Sequence, residues 1–177
     1  MKIFIHVVIA VLLLLIPAAV SEAFQNEPNG FRDLYWGESL QEIEQNRRCE
    51  YDSYVPELNA VKYKVYLKNG EDHTVSGYHI SNEILVGLWN NQLTSIGVNF
   101  SSTTLSEMNH GYDGLRDAVI LNCGEPSKSN DNETIWLGTR TSIMISKNRN
   151  NINGVFMILG SSRLIVEGER DGASKGW

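Results

Sequence analysis

Val61-Lys62-Tyr63-Lys64-Val65-Tyr66-Leu67-Lys68-Asn69-Gly70 reads as one strand and the turn that ends it. Val61, Tyr63, Val65 and Leu67 alternate with Lys62, Lys64, Tyr66 and Lys68. That period of two sends one set to a core and the other to solvent. Asn69-Gly70 offers the positive backbone angles that a two-residue hairpin turn requires, so a second strand is expected from about His73 to Ile80. Glu83 to Trp89 and Gln92 to Phe100 form another pair joined at Asn90-Asn91, with Ile96, Val98 and Phe100 on one face. The middle of the chain is therefore expected to be an antiparallel meander.

Helix signals flank this meander. Ser39 followed by Glu42 is a capping-box pair, predicting a short helix from Ser39 to about Arg47 with Leu40 and Ile43 as its apolar stripe. Thr104 with Glu107 repeats the signature, and Met108, Tyr112, Leu115, Val119 and Asn122 recur at steps of three or four along a longer helix. Gly111 and Gly114 each weaken that helix by about 1 kcal/mol relative to Ala. Gly124 and Pro126 end it near Cys123. Three strands are expected beyond: Glu133 to Leu137, Thr141 to Lys147, and Val155 to Leu159 extending toward Val166, with Asn148 to Gly154 as a hairpin loop.

Helix then strands thus occurs twice, once from Ser39 and once from Thr104, which suggests two structurally similar halves. The expected fold is α+β: an antiparallel sheet with helices packed on one face, in a single domain over 24–167, followed by a flexible tail over 168–177.

The ends and the charge bound the function. Lys2, an apolar run from Ile3 to Ile16 interrupted by His6, then Pro17 and the small residues around Ser21 and Ala23, form the layout of a secretory signal. The run of about 14 residues is short of the roughly 20 that a spanning helix needs. Residues 1–23 are therefore expected to be a cleavable signal peptide, with the mature chain starting at Phe24, periplasmic or secreted, and without a membrane span after cleavage. The formal charge of −6 and the lack of a basic stripe argue against nucleic acid as a partner.

Few residues suggest chemistry. Cys49 and Cys123 could close a disulfide in an oxidising compartment or remain two buried thiols. The bond would close a loop of about 74 residues and disfavour the unfolded chain by roughly 4 kcal/mol. His73 and His79 would stand about 20 Å apart on one strand, too far to share a metal unless Gly77 bends it and Glu71 or Asp72 adds oxygen ligands. There is no G-x-S-x-G elbow, and His110 with Asp113 falls on the polar side of a helix. Asp52, Glu57, Glu71 and Asp72 lie in the middle segment, but no spacing singles out a catalytic pair. No catalytic, cofactor-binding or metal-ligating residue is assigned, and no cofactor is expected. The exposed aromatics are more informative: Lys62, Lys64, Tyr66 and Tyr78 form a candidate contact face.

Phe31-Arg32-Asp33-Leu34-Tyr35-Trp36-Gly37-Glu38-Ser39-Leu40 reads as a short strand broken at Gly37 and leading into the first helix. It resembles the opening F-R-x-h-x-W-G-x-[ST]-h, where h is apolar, of a group of exported bacterial proteins of uncharacterised function. Cys123-Gly124-Glu125-Pro126, Trp136 and the alternating Thr141 to Ile145 are similar to the later part of such proteins. The likeness touches about a fifth of the chain and implies a small envelope α+β domain without an activity. The order of elements is also loosely similar to the helix-on-sheet binding domains of outer-membrane assembly lipoproteins and of β-lactamase inhibitory proteins. The motif explains itself physically: Phe31 and Trp36 fill core space, Gly37 permits a turn and Ser39 caps a helix.

The expected function is accordingly a non-enzymatic binding or interaction domain of the bacterial envelope, with another exported protein or an envelope polymer as partner. The alternative is a small hydrolase whose catalytic residues are dispersed in sequence, with His79 or His110 brought beside a Ser or an acid.

Overall fold

The computed structural model describes residues 26–55, 59–148 and 154–167. The expected signal peptide, the tail over 168–177, Glu57 and the centre of the Asn-rich loop lie outside the described residues.

The polar lead folds first into a ribbon, β1 (Gly30–Phe31) against β2 (Leu34–Tyr35), instead of the single short strand expected. Arg32 adopts a φ of +58° and turns the chain back on itself. Helix α1 (Leu40–Glu44) follows, held by the Ser39–Glu42 capping box. It stops short of Arg47, whose guanidinium is drawn inward by acids. Strands β3 (Cys49–Val55) and β4 (Ala60–Tyr66) pair antiparallel.

Asn69-Gly70 does turn the chain, with Gly70 at φ +79°. The segment beyond it, however, does not return along β4. Ser76 and Gly77, both at positive φ, split it into the ribbon β5 (Thr74–Val75) and β6 (Tyr78–His79). The strand that pairs with the other edge of β4 is β7 (Glu83–Trp89), and β7 pairs in turn with β8 (Gln92–Ser101) through Asn90-Asn91, both left-handed.

Helix α2 (Leu105–Cys123) carries the second capping box, Thr104 with Glu107. Met108, Tyr112 and Leu115 are buried as expected, whereas Asn122 is exposed and Cys123 takes the last buried position. Gly114 has a packing reason, since a Cβ there would collide with the Tyr78 hydroxyl, whereas one at Gly111 would make only ordinary contacts. Strands β9 (Lys128–Ser129), β10 (Glu133–Leu137), β11 (Thr141–Asn148) and β12 (Gly154–Ser161) complete the sheet. The expected extension toward Val166 is not strand, because β12 ends at Ser161 and residues 162–167 form a helical segment, α3.

The fold is α+β, and eight strands form one antiparallel sheet in the order β3-β4-β7-β8-β12-β11-β10-β9. Each half is a capped helix followed by four sheet strands, and the halves join where their last strands, β8 and β12, pair. One face carries Val65, Val86, Val98, Val155 and Ile145, which form a single apolar cluster with Ile43 of α1 and Met108, Tyr112 and Leu115 of α2. Among the described residues no helix is long and apolar enough to cross a membrane.

Candidate functional site

Because side chains alternate along a strand and cross-strand partners share a face, the registers define what the other face presents. One row across it reads Lys62, Gly87, Ser95, Gly160, Ser142. The next reads Lys64, Leu85, Gly97, Ile158, Met144. On the other side of the first row stand Ala60 and Trp89. A row of glycine and serine is thus bordered by Trp89 on one side and by Leu85 and Ile158 on the other. Missing side chains leave a trough.

The trough is a cleft of about 360 Å³, within the range of small-ligand sites. Gly87, Ser95 and Gly97 lie along its floor, and Leu164 and Ile165 of α3 line it from above. Gly160 brings α3 this close, since a Cβ there would stand 2.5 Å from Ile165 Cδ1. At its foot α3 is tied down by Ser162, whose N–H donates to Arg140 O at 2.9 Å and whose hydroxyl donates to Gly138 O at 3.0 Å. The lining is carbon with few polar groups. Thr94 is a bulged residue in β8, and its hydroxyl is already committed to Gly87 O at 2.9 Å. The Nε1 of Trp89 is buried and has no hydrogen-bond partner among the described residues, which normally costs about 1–3 kcal/mol. Lys62 stands on β4, at the end of the row remote from α3.

The candidate contact face divides. Lys62, Lys64 and Tyr66 share the open face as the alternation of β4 requires, with Lys64 Nζ 3.9 Å from Glu83 and the Tyr66 hydroxyl donating to Glu50 at 2.8 Å. Tyr78 is elsewhere. Its hydroxyl donates to His110 O at 3.4 Å, and its ring meets the His110 ring edge to face at 5.9 Å. The β5–β6 ribbon leaves the main sheet and lays Tyr78 against α2, so Tyr78 does not belong with the lysines.

Cys49 and Cys123 are both free thiols, and the disulfide considered above is not formed. Cys49 opens the edge strand β3, whereas Cys123 ends α2 beside β10, where Trp136 Nε1 donates to Gly124 O at 2.9 Å. Several strand spacings of about 4.8 Å separate those two ends of the sheet, against a Cα separation below about 7 Å in a disulfide. Desolvation pushes both thiols above their ordinary pKa.

His73 and His79 are not strung along one strand: His79 sits opposite Thr74 across the small ribbon, and His73 O accepts from Ile80 N–H at 2.8 Å. Among the described residues no three His, Cys, Asp or Glu side chains converge on a metal-sized site. Neither the His79 nor the His110 ring hydrogen-bonds to a Ser or an acid among the described residues, and Asp113 pairs with Arg116 at 3.1 Å.

A charged cluster escaped the sequence reading. The Arg47 side chain is only 2% exposed. It donates through Nε to Asp33 at 2.9 Å and through Nη1 and Nη2 to both oxygens of Glu71 at 2.9 and 3.0 Å. Arg32 also donates to Glu71, at 2.5 Å, and Lys68 donates to Asp33 at 2.5 Å. Desolvation alone would raise the Glu71 carboxyl, but hydrogen bonds from Arg47, the Lys68 N–H and Arg32 outweigh it and bring it down to about 2. With each acid and each base engaged, the cluster clamps the lead, α1 and the 71–72 loop together and leaves no free base for chemistry.

The cleft had one legible signal, the isolated glycines at 87, 97 and 160 inside strand patterns, which mark close approach of other groups. No family model matches the chain, and no curated protein and no solved structure matches it.

Proposed function

We propose that this chain is a single-domain, exported, non-enzymatic binding protein of the bacterial envelope whose binding surface is the open face of its sheet, centred on the cleft between the strands and α3. The observation that carries this reading is the carbon-lined trough floored by Gly87, Ser95 and Gly97. Burial of apolar area is the main source of affinity, at about 25 cal/mol per Å², and this cleft offers such area already shaped. Ile158, 38% exposed beside it, extends the apolar surface outward. The polar surroundings, Lys62, Lys64, Glu83 and Ser142, form the wetter rim that fixes orientation.

The test is site-specific photocrosslinking from position 158 in cells that export the protein. The reading expects one recurrent bound species, identified by mass, whose capture disappears in Gly97→Leu while cooperative unfolding is retained. Equal capture from position 158 and from a surface position on α2 such as Asp117 would remove the open face as the binding surface.

A further inference from the structure

We infer that the cleft takes a single unbranched acyl chain carrying a carboxylate head, with the chain along the glycine trough and the head at Lys62. This rests on the reading of the cleft as the binding site and adds the class of ligand.

The geometry of the trough favours a chain over a flat ring system. Its floor crosses the sheet from β4 through β7 and β8 to β12, following the row Lys62, Gly87, Ser95, Gly160. Three strand spacings of about 4.8 Å make this roughly 14 Å long. Trp89 borders it on one side and Leu85 and Ile158 on the other, while Ile165 blocks the β12 end above Gly160. A trough with carbon walls, stopped at the β12 end by Ile165, accepts polymethylene, and Ser95 carries the one unengaged hydroxyl on its floor among the described residues.

The polarity of its lining sets the head group. The charged group at the end of the lining is a donor, the half-exposed Lys62 ammonium, and the Trp89 indole N–H is a buried donor in its wall, while the Ser95 hydroxyl on the floor both donates and accepts. Lys64, one position along the same face, already has Glu83 at 3.9 Å. Lys62 has no carboxylate within salt-bridge distance among the described residues, and Trp89 Nε1 has no acceptor among them. A cation at the end of a carbon-lined cleft with no carboxylate beside it calls for an anionic oxygen head. A carboxylate pairs the ammonium at the mouth, and the Trp89 ring lies along the chain as part of the wall.

The probe is dodecanoate, titrated calorimetrically into the purified protein, with dodecyltrimethylammonium as the cationic counterpart. Dodecanoate is expected to bind one to one. Lys62→Met should weaken it by about tenfold or more, the size of one lost charge-assisted hydrogen bond, and should leave cooperative unfolding unchanged. Trp89→Phe should weaken it less. Gly97→Leu, whose new side chain would enter the trough beside Leu85, should abolish it.

Binding of the trimethylammonium amphiphile as tightly as dodecanoate would overturn the head-group assignment, and so would an unchanged affinity in Lys62→Met. Full dodecanoate affinity in Gly97→Leu would place the chain elsewhere and overturn the site. No dodecanoate binding alongside specific crosslinking from position 158 would refute the acyl ligand and spare the open binding face. Loss of both would end both readings.

Discussion

Trp36 Nε1 donates to Thr141 Oγ1 at 2.8 Å, joining residues 105 positions apart, and the same hydroxyl donates to Pro28 O at 2.5 Å. Thr141 is fully buried at the start of β11, so one hydroxyl ties the lead and the first half of the chain to the second. Thr141→Val keeps the shape and strands both partners. It is expected to lower unfolding free energy by about 2 kcal/mol, the scale of burying unpaired polar groups, as read by chemical denaturation. A cost below the error of that measurement would remove the hydroxyl as a tie.

The Arg47 cluster predicts acid sensitivity. Glu71 ordinarily titrates near 4.5 and is held at about 2 in the folded chain. A depressed folded pKa stabilises the fold above the ordinary value, and that contribution fades as pH falls from 4.5 through about 2. Glu71→Gln should therefore flatten the stability profile across that window. At neutral pH it should cost about 3 kcal/mol, because Arg47 keeps its buried charge with one acid fewer. An unaltered acid limb in the variant would mean that Glu71 does not set it.

Gly114 predicts a reversal of sign. Ala is a better helix former than Gly by about 1 kcal/mol, yet in the native background Gly114→Ala would drive a methyl into the Tyr78 hydroxyl and ring. That overpacking is expected to make it net destabilising, by about 1 kcal/mol. In a Tyr78→Ala background the same substitution should stabilise. Thermal unfolding of the four proteins in the cycle checks both signs, and stabilisation in both backgrounds would show that Tyr78 does not press on α2.

Cys49 and Cys123 should both react with iodoacetamide when the protein is denatured without reductant, giving a mass increase of two adducts. Under native conditions Cys123, buried and with a raised pKa, should react far more slowly than a free peptide thiol. An unmodified mass after denaturation would mean that the two are bonded to each other.

Much of the chain's organisation was legible residue by residue. Both capping boxes, at Ser39 with Glu42 and at Thr104 with Glu107, start helices where the short-range pairing of an oxygen with a backbone N–H dictates. Asn90-Asn91 joins β7 to β8 because both residues tolerate left-handed backbone. Two departures involve distant charges. Phe31 to Trp36 alternates like a strand, yet Arg32 turns at positive φ with its guanidinium on Glu71. His73 to Ile80 follows a good turn, yet the loop around Glu71 is held by Arg47 and does not return along β4. In both of these segments an ion pair between distant residues accompanies the departure from the local pattern.

The amino-acid sequence by itself determined the α+β class, the two helix starts and the alternation that places the strands, since capping and side-chain period act between near neighbours. Only the tertiary structure decided that β8 and β12 join two halves into one sheet, that the cysteines stay apart, and that Tyr78 leaves the lysine face. It alone decided the cleft as well. Gly87 and Gly97 are single residues on separate strands, and they make a trough with Ser95 only because the registers of β7, β8 and β12 set them side by side under α3. Register and crossing contacts depend on the whole chain closing at once, and no local pattern encodes that.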